Sequence, residues 1–282
     1  MELSVEQGSI ASVPATGSQQ HFDLNSLSER LGKGAARTLY GRKPFKFRHD
    51  FAANSWFSRD RLLELADALP DTSVEYNLAD IPVSAPVTSL PSNNLSLQDT
   101  IRNIDTCGSW VLLKSVEQHG DYAELMNDCL KEIAEELGLR VDAMLSPRSF
   151  LFLTSSGGVT PFHFDPEHNF LMQIEGRKKI QIFEPFDSAI VSDRQLQDFA
   201  AGAHRNLPFD ESIAERGEWF DFSAGEGVYI PFLAPHWVKN TGTVSVSFSI
   251  AFETAETKQT MSSYRRDHSD APETLFQEQG QA

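Results

Sequence analysis

The run Val244-Ser245-Val246-Ser247-Phe248-Ser249-Ile250 alternates apolar and polar residues without a break. A period of two is the repeat of a β-strand, whose successive side chains point to opposite faces. Any fold for this chain must therefore hold a strand here, and the residues before it show what it can pair with. Phe150-Leu151-Phe152-Leu153, Asn169 to Gln173 and Lys179 to Phe183 are further strand-like runs. Glu175-Gly176-Arg177 separates the last two and reads as a hairpin turn. Gly225-Glu226-Gly227 marks a turn before Val228-Tyr229-Ile230, and Thr241-Gly242-Thr243 marks another before the alternating run. Short strands at such spacing predict an antiparallel sandwich or a jelly-roll barrel.

The first half is more mixed. Lys43-Pro44-Phe45-Lys46-Phe47 predicts a short strand. Ser58 is placed to cap a helix through Leu62, Leu63, Leu65, Ala66 and Leu69, stopped by Pro70. Residues 71–95, with Pro82, Pro86 and Pro91, read as an extended connection. Ser96-Leu97-Gln98-Asp99 resembles a capping box for a helix carrying Ile101 and Ile104. Trp110 to Leu113 reads as a strand, and Leu125, Met126, Cys129, Leu130, Ile133 and Leu137 lie on one helical face that Gly138 ends. The expected organisation is a disordered arm over 1–22 and a helical, mixed part over 23–148. A barrel core over 149–254 and a polar tail or short helix over 255–282 follow. The fold class is mostly β with flanking helices.

Charge narrows the partners. There are 24 Lys and Arg against 40 Asp and Glu, a net charge of −16. Nucleic-acid backbones are bound through clustered basic residues, so no nucleic-acid partner is expected. No apolar run reaches the ~18 residues of a membrane span, and Met1 to Glu6 shows neither the basic nor the apolar part of a signal peptide. Cys107 and Cys129 are the only cysteines, too few for a disulfide scaffold or a sulfur metal site. A reduced, cytoplasmic protein is expected, with both thiols inert.

His163, Asp165 and His236 carry the chemistry. On a strand, residues two apart share a face, so His163 and Asp165 point the same way. His236 follows Tyr229-Ile230-Pro231 and precedes the alternating strand. Two imidazoles and one carboxylate on one face of a metal leave open positions, which suits non-haem Fe(II) rather than a closed zinc site. A His-x-Asp triplet alone is weak, and His268-Ser269-Asp270 is a second one. That copy lies in a polar tail without a strand, whereas the first follows an apolar strand and the Ser155-Ser156-Gly157-Gly158 turn. His49-Asp50 and His168 are further candidates without a comparable strand setting, with His168 either lining the same pocket or exposed on a loop. Ser155 and Ser156 lack a nucleophile elbow, which disfavours serine-hydrolase chemistry.

The stretch from Thr160-Pro161-Phe162-His163-Phe164-Asp165 to Gly176-Arg177-Lys178-Lys179, and that from Gly227-Val228-Tyr229-Ile230-Pro231 to Pro235-His236-Trp237-Val238, resemble the cupin-like JmjC oxygenases. The likeness is to the asparaginyl hydroxylase of hypoxia-inducible factor and its bacterial relatives. It is loose over residues 43–252 and good over 149–186 and 225–252. The resemblance implies a double-stranded β-helix that binds Fe(II) and 2-oxoglutarate, consumes O2 and hydroxylates a C–H bond with release of succinate and CO2. It assigns His163, Asp165 and His236 to the iron. Lys178 and Thr160 go to the distal carboxylate of 2-oxoglutarate, and Asn169 beside the co-substrate. Ser249 falls where some relatives place an Asn near the metal-bound carboxylate. A buried dicarboxylate needs a compensating cation, which supports Lys178, although Arg177-Lys178-Lys179 also reads as a charged strand edge.

Trp237 and the 20 phenylalanines read mainly as core, with Phe150, Phe152 and Phe162 also candidates for lining the pocket, and 193–218 is a barrel insertion that either shapes the substrate mouth or lies on the surface. The substrate is a small molecule, an amino acid, or a peptide or protein side chain, and a homodimer is an open alternative. Two other readings stand beside the hydroxylase. One is a non-catalytic metal-binding cupin serving as a ligand sensor. The other is a metal-dependent isomerase or thiol dioxygenase cupin, which has no need of Lys178.

Overall fold

The computed structural model describes residues 22–24, 34–85 and 90–269. The expected N-terminal arm, apart from Phe22, lies outside the described residues, as does the end of the chain beyond residue 269.

Among the described residues twelve strands and six α-helices follow one another. The first part holds β1 (Phe22–Asp23), α1 (Ala35–Leu39), β2 (Phe45–His49), α2 (Arg59–Ala68), β3 (Val74–Leu78), α3 (Leu97–Arg102), β4 (Ser109–Lys114) and α4 (Gly120–Leu137). The barrel follows as β5 (Leu145–Thr154), β6 (Val159–His163), β7 (His168–Glu175), β8 (Arg177–Ile182), α5 (Asp193–Ala200), β9 (Glu218–Ser223), β10 (Glu226–Ile230), β11 (His236–Asn240) and β12 (Ser245–Glu253). Helix α6 (Ala255–Ser269) closes the described chain. A large sheet runs β1-β2-β10-β7-β12-β5-β4-β3, and a small sheet runs β6-β11-β8-β9. Every pairing is antiparallel.

The turn at Gly176 is not a hairpin. Strand β7 has both edges occupied, by β10 and β12, and β8 has both edges occupied, by β11 and β9. Gly176 therefore carries the chain from one sheet to the other. The turns before β10 and before β12 make the same crossing, which is how a jelly roll closes on itself. At Gly176 φ is +78°, and a Cβ would stand 2.1 Å from the Val244 carbonyl oxygen. A side chain here meets both a left-handed backbone and a backbone atom that cannot move away. Gly176→Ala is expected to lower stability by more than about 1 kcal/mol, measured as a shift in the urea midpoint.

Strand β12 shows why its sequence alternates. Val246, Phe248, Ile250 and Phe252 pack outward into the main core with Leu62, Tyr122, Met126, Leu130 and Ile133. Ser245, Ser247 and Ser249 are buried as well. The polar face of the strand thus looks into the barrel rather than into water, because β12 is a central strand with helices behind it. A second core joins the sheets through Leu171, Ile180, Ile182, Phe222, Val228 and Ile230.

Several local expectations change. Residues 71–95 are not wholly a connection: Val74–Leu78 forms β3, an edge strand paired to β4. Ser58 sits at the start of α2 but its side chain caps nothing, while Ser96 accepts from the Asp99 amide at 3.0 Å as expected. Helix α4 ends at Gly138, which adopts φ 68°. Strand β2 carries the predicted 43–47 segment through His49, and the polar tail forms α6. No described helix is long and apolar enough to cross a membrane.

Candidate metal and co-substrate site

His163 ends β6 and His236 begins β11, and the two residues face one another across the ladder. Their rings lie 4.3 Å apart between centroids. Asp165 follows two residues after His163, where the chain leaves the small sheet. Its Oδ2 lies 3.8 Å from Nε2 of His163 and 3.8 Å from Nε2 of His236. Ligand atoms of all three lie within 4.8 Å of one another, and all three residues are buried.

Hydrogen bonds fix both rings. Nδ1 of His163 lies 2.7 Å from the Pro161 carbonyl, and Nδ1 of His236 lies 2.9 Å from the Ala234 carbonyl. A carbonyl only accepts, so each Nδ1 must carry its proton and each Nε2 is left with a free lone pair facing Asp165. Burial, with His236 alongside, lowers the His163 pKa to about 3. Burial also lowers that of His236. Burial pushes the Asp165 carboxyl up, but Arg205, the two histidines and an Asn169 hydrogen bond outweigh it and hold the group well below the usual carboxylate range. The site therefore presents two neutral imidazoles and one carboxylate, the donor set that a divalent cation requires.

A cleft of about 440 Å³ opens beside these donors, and its walls include Thr160, Asn169, Lys178, Phe150 and Phe152. Lys178 points inward from β8 and is 4% exposed. Its Nζ donates to Ser247 Oγ at 2.8 Å and lies 5.6 Å from the Phe152 ring centre. Among the described residues no carboxylate pairs with it, and burial lowers its pKa to about 7. Arg177 and Lys179 turn outward to Asp221, so the basic triplet divides between barrel and solvent. Asn169 accepts from Ser249 Oγ at 2.7 Å. Ser249 does not line the cleft; it reaches the donors only through Asn169.

Of the three candidate phenylalanines, Phe162 is core rather than pocket, buried against Phe183 and Phe209. His168 is neither exposed nor in the cleft: it begins β7, is 5% exposed, and its Nδ1 lies 2.8 Å from the Tyr229 hydroxyl. His49 is likewise buried on β2, away from the cleft. Cys129 is buried, with its thiol pushed well up by burial, whereas Cys107 is only half-buried. Ser155 is structural, donating to the Ile104 carbonyl and accepting from the Ser109 amide.

Arg205 is the residue that sequence reasoning missed. It belongs to the 193–218 insertion, which lines the cleft through Phe199, His204, Arg205 and Asn206. The Leu207 amide donates to the Phe162 carbonyl at 2.8 Å, and Asn206 bridges to His163. This docking brings the Arg205 guanidinium onto Asp165 Oδ1, leaving Oδ2 for the histidine side. Hydrogen-bonded partners of metal ligands typically tune affinity by about 10- to 100-fold. Arg205→Ala is expected to weaken Mn(II) binding by about tenfold, read by calorimetry, without changing the far-UV circular dichroism. Glu167 and Arg148 pair beside it at the cleft wall, and burial, with Asp165 nearby, raises the Glu167 pKa to about 7.

Comparison with known proteins agrees with this architecture. JmjC domain-containing protein D of Dictyostelium discoideum is 44% identical over 54 residues, covering 19% of this chain and 10% of that protein. Lysine-specific demethylase 8 of Xenopus tropicalis is 29% identical over 132 residues, covering 44% of this chain and 27% of that protein. The chain thus spans about a quarter or less of these curated relatives. The X-ray structure of E. coli ycfD superposes with a TM-score of 0.52 at 15% identity, over 93% of this chain and 63% of that one, a likeness of fold. The family model described as cupin-like domain matches residues 72–258, two thirds of the sequence, and the chain belongs to that family.

Proposed function

We propose that this protein is an Fe(II)- and 2-oxoglutarate-dependent dioxygenase that hydroxylates an unactivated C–H bond. The observation that carries this reading is one cleft holding two kinds of group. His163, Asp165 and His236 present a three-donor face, and Lys178 stands in the same cleft as a buried amine that no carboxylate among the described residues pairs with.

His163, Asp165 and His236 would hold the iron, with the imidazole orientations already set by Pro161 and Ala234 and the carboxylate steadied by Arg205 and Asn169. Bound Fe(II) supplies oxygen activation coupled to oxidative decarboxylation, so that substrate, O2 and 2-oxoglutarate become hydroxylated substrate, succinate and CO2. Lys178 would bind the distal carboxylate of 2-oxoglutarate, and Thr160 would donate its hydroxyl to it. Phe150, Phe152 and Leu171 line the cleft with apolar surface, which limits water around the bound co-substrate. The mouth, with Arg148, Glu167, Lys114 and Glu75, is polar and suits a substrate with hydrogen-bonding groups: a small molecule, an amino acid, or a peptide or protein side chain. The name of the Xenopus relative, a lysine-specific demethylase, favours a protein side chain.

A sensor cupin would not require a buried uncompensated lysine. Isolated buried charge is costly, and such a group persists where a ligand completes it. The test is succinate formation from 2-oxoglutarate by purified protein with Fe(II) and ascorbate under air, with anaerobic titration of Fe(II) and 2-oxoglutarate beside it. Succinate, or a metal-to-ligand absorption band in the anaerobic complex, is expected. Folded, metal-loaded protein showing neither would overturn the reading in favour of the sensor.

A further inference from the structure

Behind Lys178 the barrel holds a chain of buried polar side chains that the reaction does not use. Ser247 Oγ accepts from Lys178 Nζ at 2.8 Å and donates to Gln173 Oε1 at 2.8 Å. Gln173 Nε2 donates in turn to the Glu175 carbonyl at 2.5 Å and to Ser245 Oγ at 2.8 Å. Gln173, Ser245 and Ser247 are wholly buried.

The direction of this chain is fixed from its far end. The Glu175 carbonyl can only accept, so Gln173 must turn its amide NH2 there and its Oε1 toward Ser247. Ser247 has one proton, and Oε1 takes it. Only lone pairs then remain for Lys178. An ammonium, with three donors and no acceptor, matches that arrangement fully, whereas a neutral amine carries a lone pair that Ser247 cannot satisfy. The relay thus favours the charged form against the burial that disfavours it.

We propose that Gln173 and Ser247 are positioning residues that keep Lys178 protonated and aimed into the cleft for the distal carboxylate of the co-substrate. The inference rests on the assignment of Lys178 to 2-oxoglutarate. No charged group supplies the same effect. Facing Lys178 are Phe152 from β5, Gln173 from β7 and Ser247 from β12. The charged and titratable groups of the same cleft include His163, Asp165, His236, Glu167, Arg148 and Arg205, and among the described residues none of them pairs with Lys178, whose hydrogen bond goes to Ser247.

The test is calorimetric binding of 2-oxoglutarate to the Mn(II)-loaded protein, without oxygen, at pH 6.5 and pH 8.5, for the wild type, Gln173→Leu, Ser247→Ala and Lys178→Met. In Gln173→Leu the Ser247 proton is free to turn toward the amine and stabilise its neutral form. The expected result is an affinity within about threefold of wild type at pH 6.5 and at least about tenfold weaker at pH 8.5. Ser247→Ala, which removes a single oxygen, is expected to show the same pattern and serves if Gln173→Leu does not fold. Wild-type affinity in both variants at both pH values overturns the proposal, and so does an equal loss at both, which is the mark of simple misfolding of the wall. Undiminished binding by Lys178→Met instead overturns the assignment on which the relay rests.

Discussion

His163→Ala and Asp165→Ala are expected to abolish succinate formation and to weaken Mn(II) or Fe(II) binding by more than about 100-fold, beyond the range that outer hydrogen-bond partners command. Each variant removes one of the three donors that converge at this site among the described residues. The same geometry fixes the pH dependence of metal binding. Metal displaces protons only from ligands that hold them. The His163 pKa is lowered to about 3, that of His236 is also lowered, and Asp165 stays ionised well below the usual carboxylate range. Both imidazoles thus titrate below the ordinary histidine range, so wild-type metal affinity is expected to be flat from about pH 7 to about pH 8 and to resist acidification below that. An ordinary surface histidine pair would instead lose affinity below about pH 6.5. Calorimetry in two buffers of different ionisation enthalpy measures the proton count directly. Release of about one proton at pH 6 would show that the imidazoles are not held as the structure holds them.

The legible part of this site was the part built by short-range pattern. His163 and Asp165 are two residues apart at a strand end, and His236 opens a strand that β6 pairs with, so spacing and strand context were enough to single them out. Lys178 was marked by the need for a buried counter-charge and by family likeness, and the structure shows the division that makes it special: its neighbours Arg177 and Lys179 meet Asp221 at the surface. Arg205 was illegible for the opposite reason. It reaches Asp165 from 40 residues away through an insertion whose docking depends on backbone bonds to Phe162 and Phe164, and no periodicity encodes that contact. Gly176 illustrates a different gap. A turn residue between two strand-like runs signals a reversal, but whether the two strands pair or part depends on which edges other strands already occupy. Alternation marks the serines of β12 as one face of a strand; that this face is buried follows only from the helices covering the other side.

Lys178→Met is expected to weaken 2-oxoglutarate binding by roughly 100-fold or more, because a buried carboxylate left without its cation costs about 3 kcal/mol or more. The wild type carries a second signature of the same group. Burial lowers the Lys178 pKa to about 7 in the free protein. A bound dianion raises it again, since opposite charge favours the ammonium. Below pH 7 the lysine is charged before and after binding, and affinity does not change with pH. Above pH 7 the free protein must take up a proton to bind, and affinity falls by about tenfold per unit. Stability of the ligand-free protein runs the other way. Between about pH 7 and pH 10 the unfolded chain holds a proton on this lysine that the folded chain has released, so this group's contribution to stability rises with pH over that window. Lys178→Met should remove both trends together. Loss of affinity without loss of the pH dependence would assign the titration to another group, such as Glu167, whose pKa is raised to about 7 by burial and by Asp165. Both groups make the cleft more negative as pH rises and so act on affinity with the same sign; substitution separates them, since Glu167→Gln relieves a high-pH loss that Glu167 causes and leaves intact one that Lys178 causes.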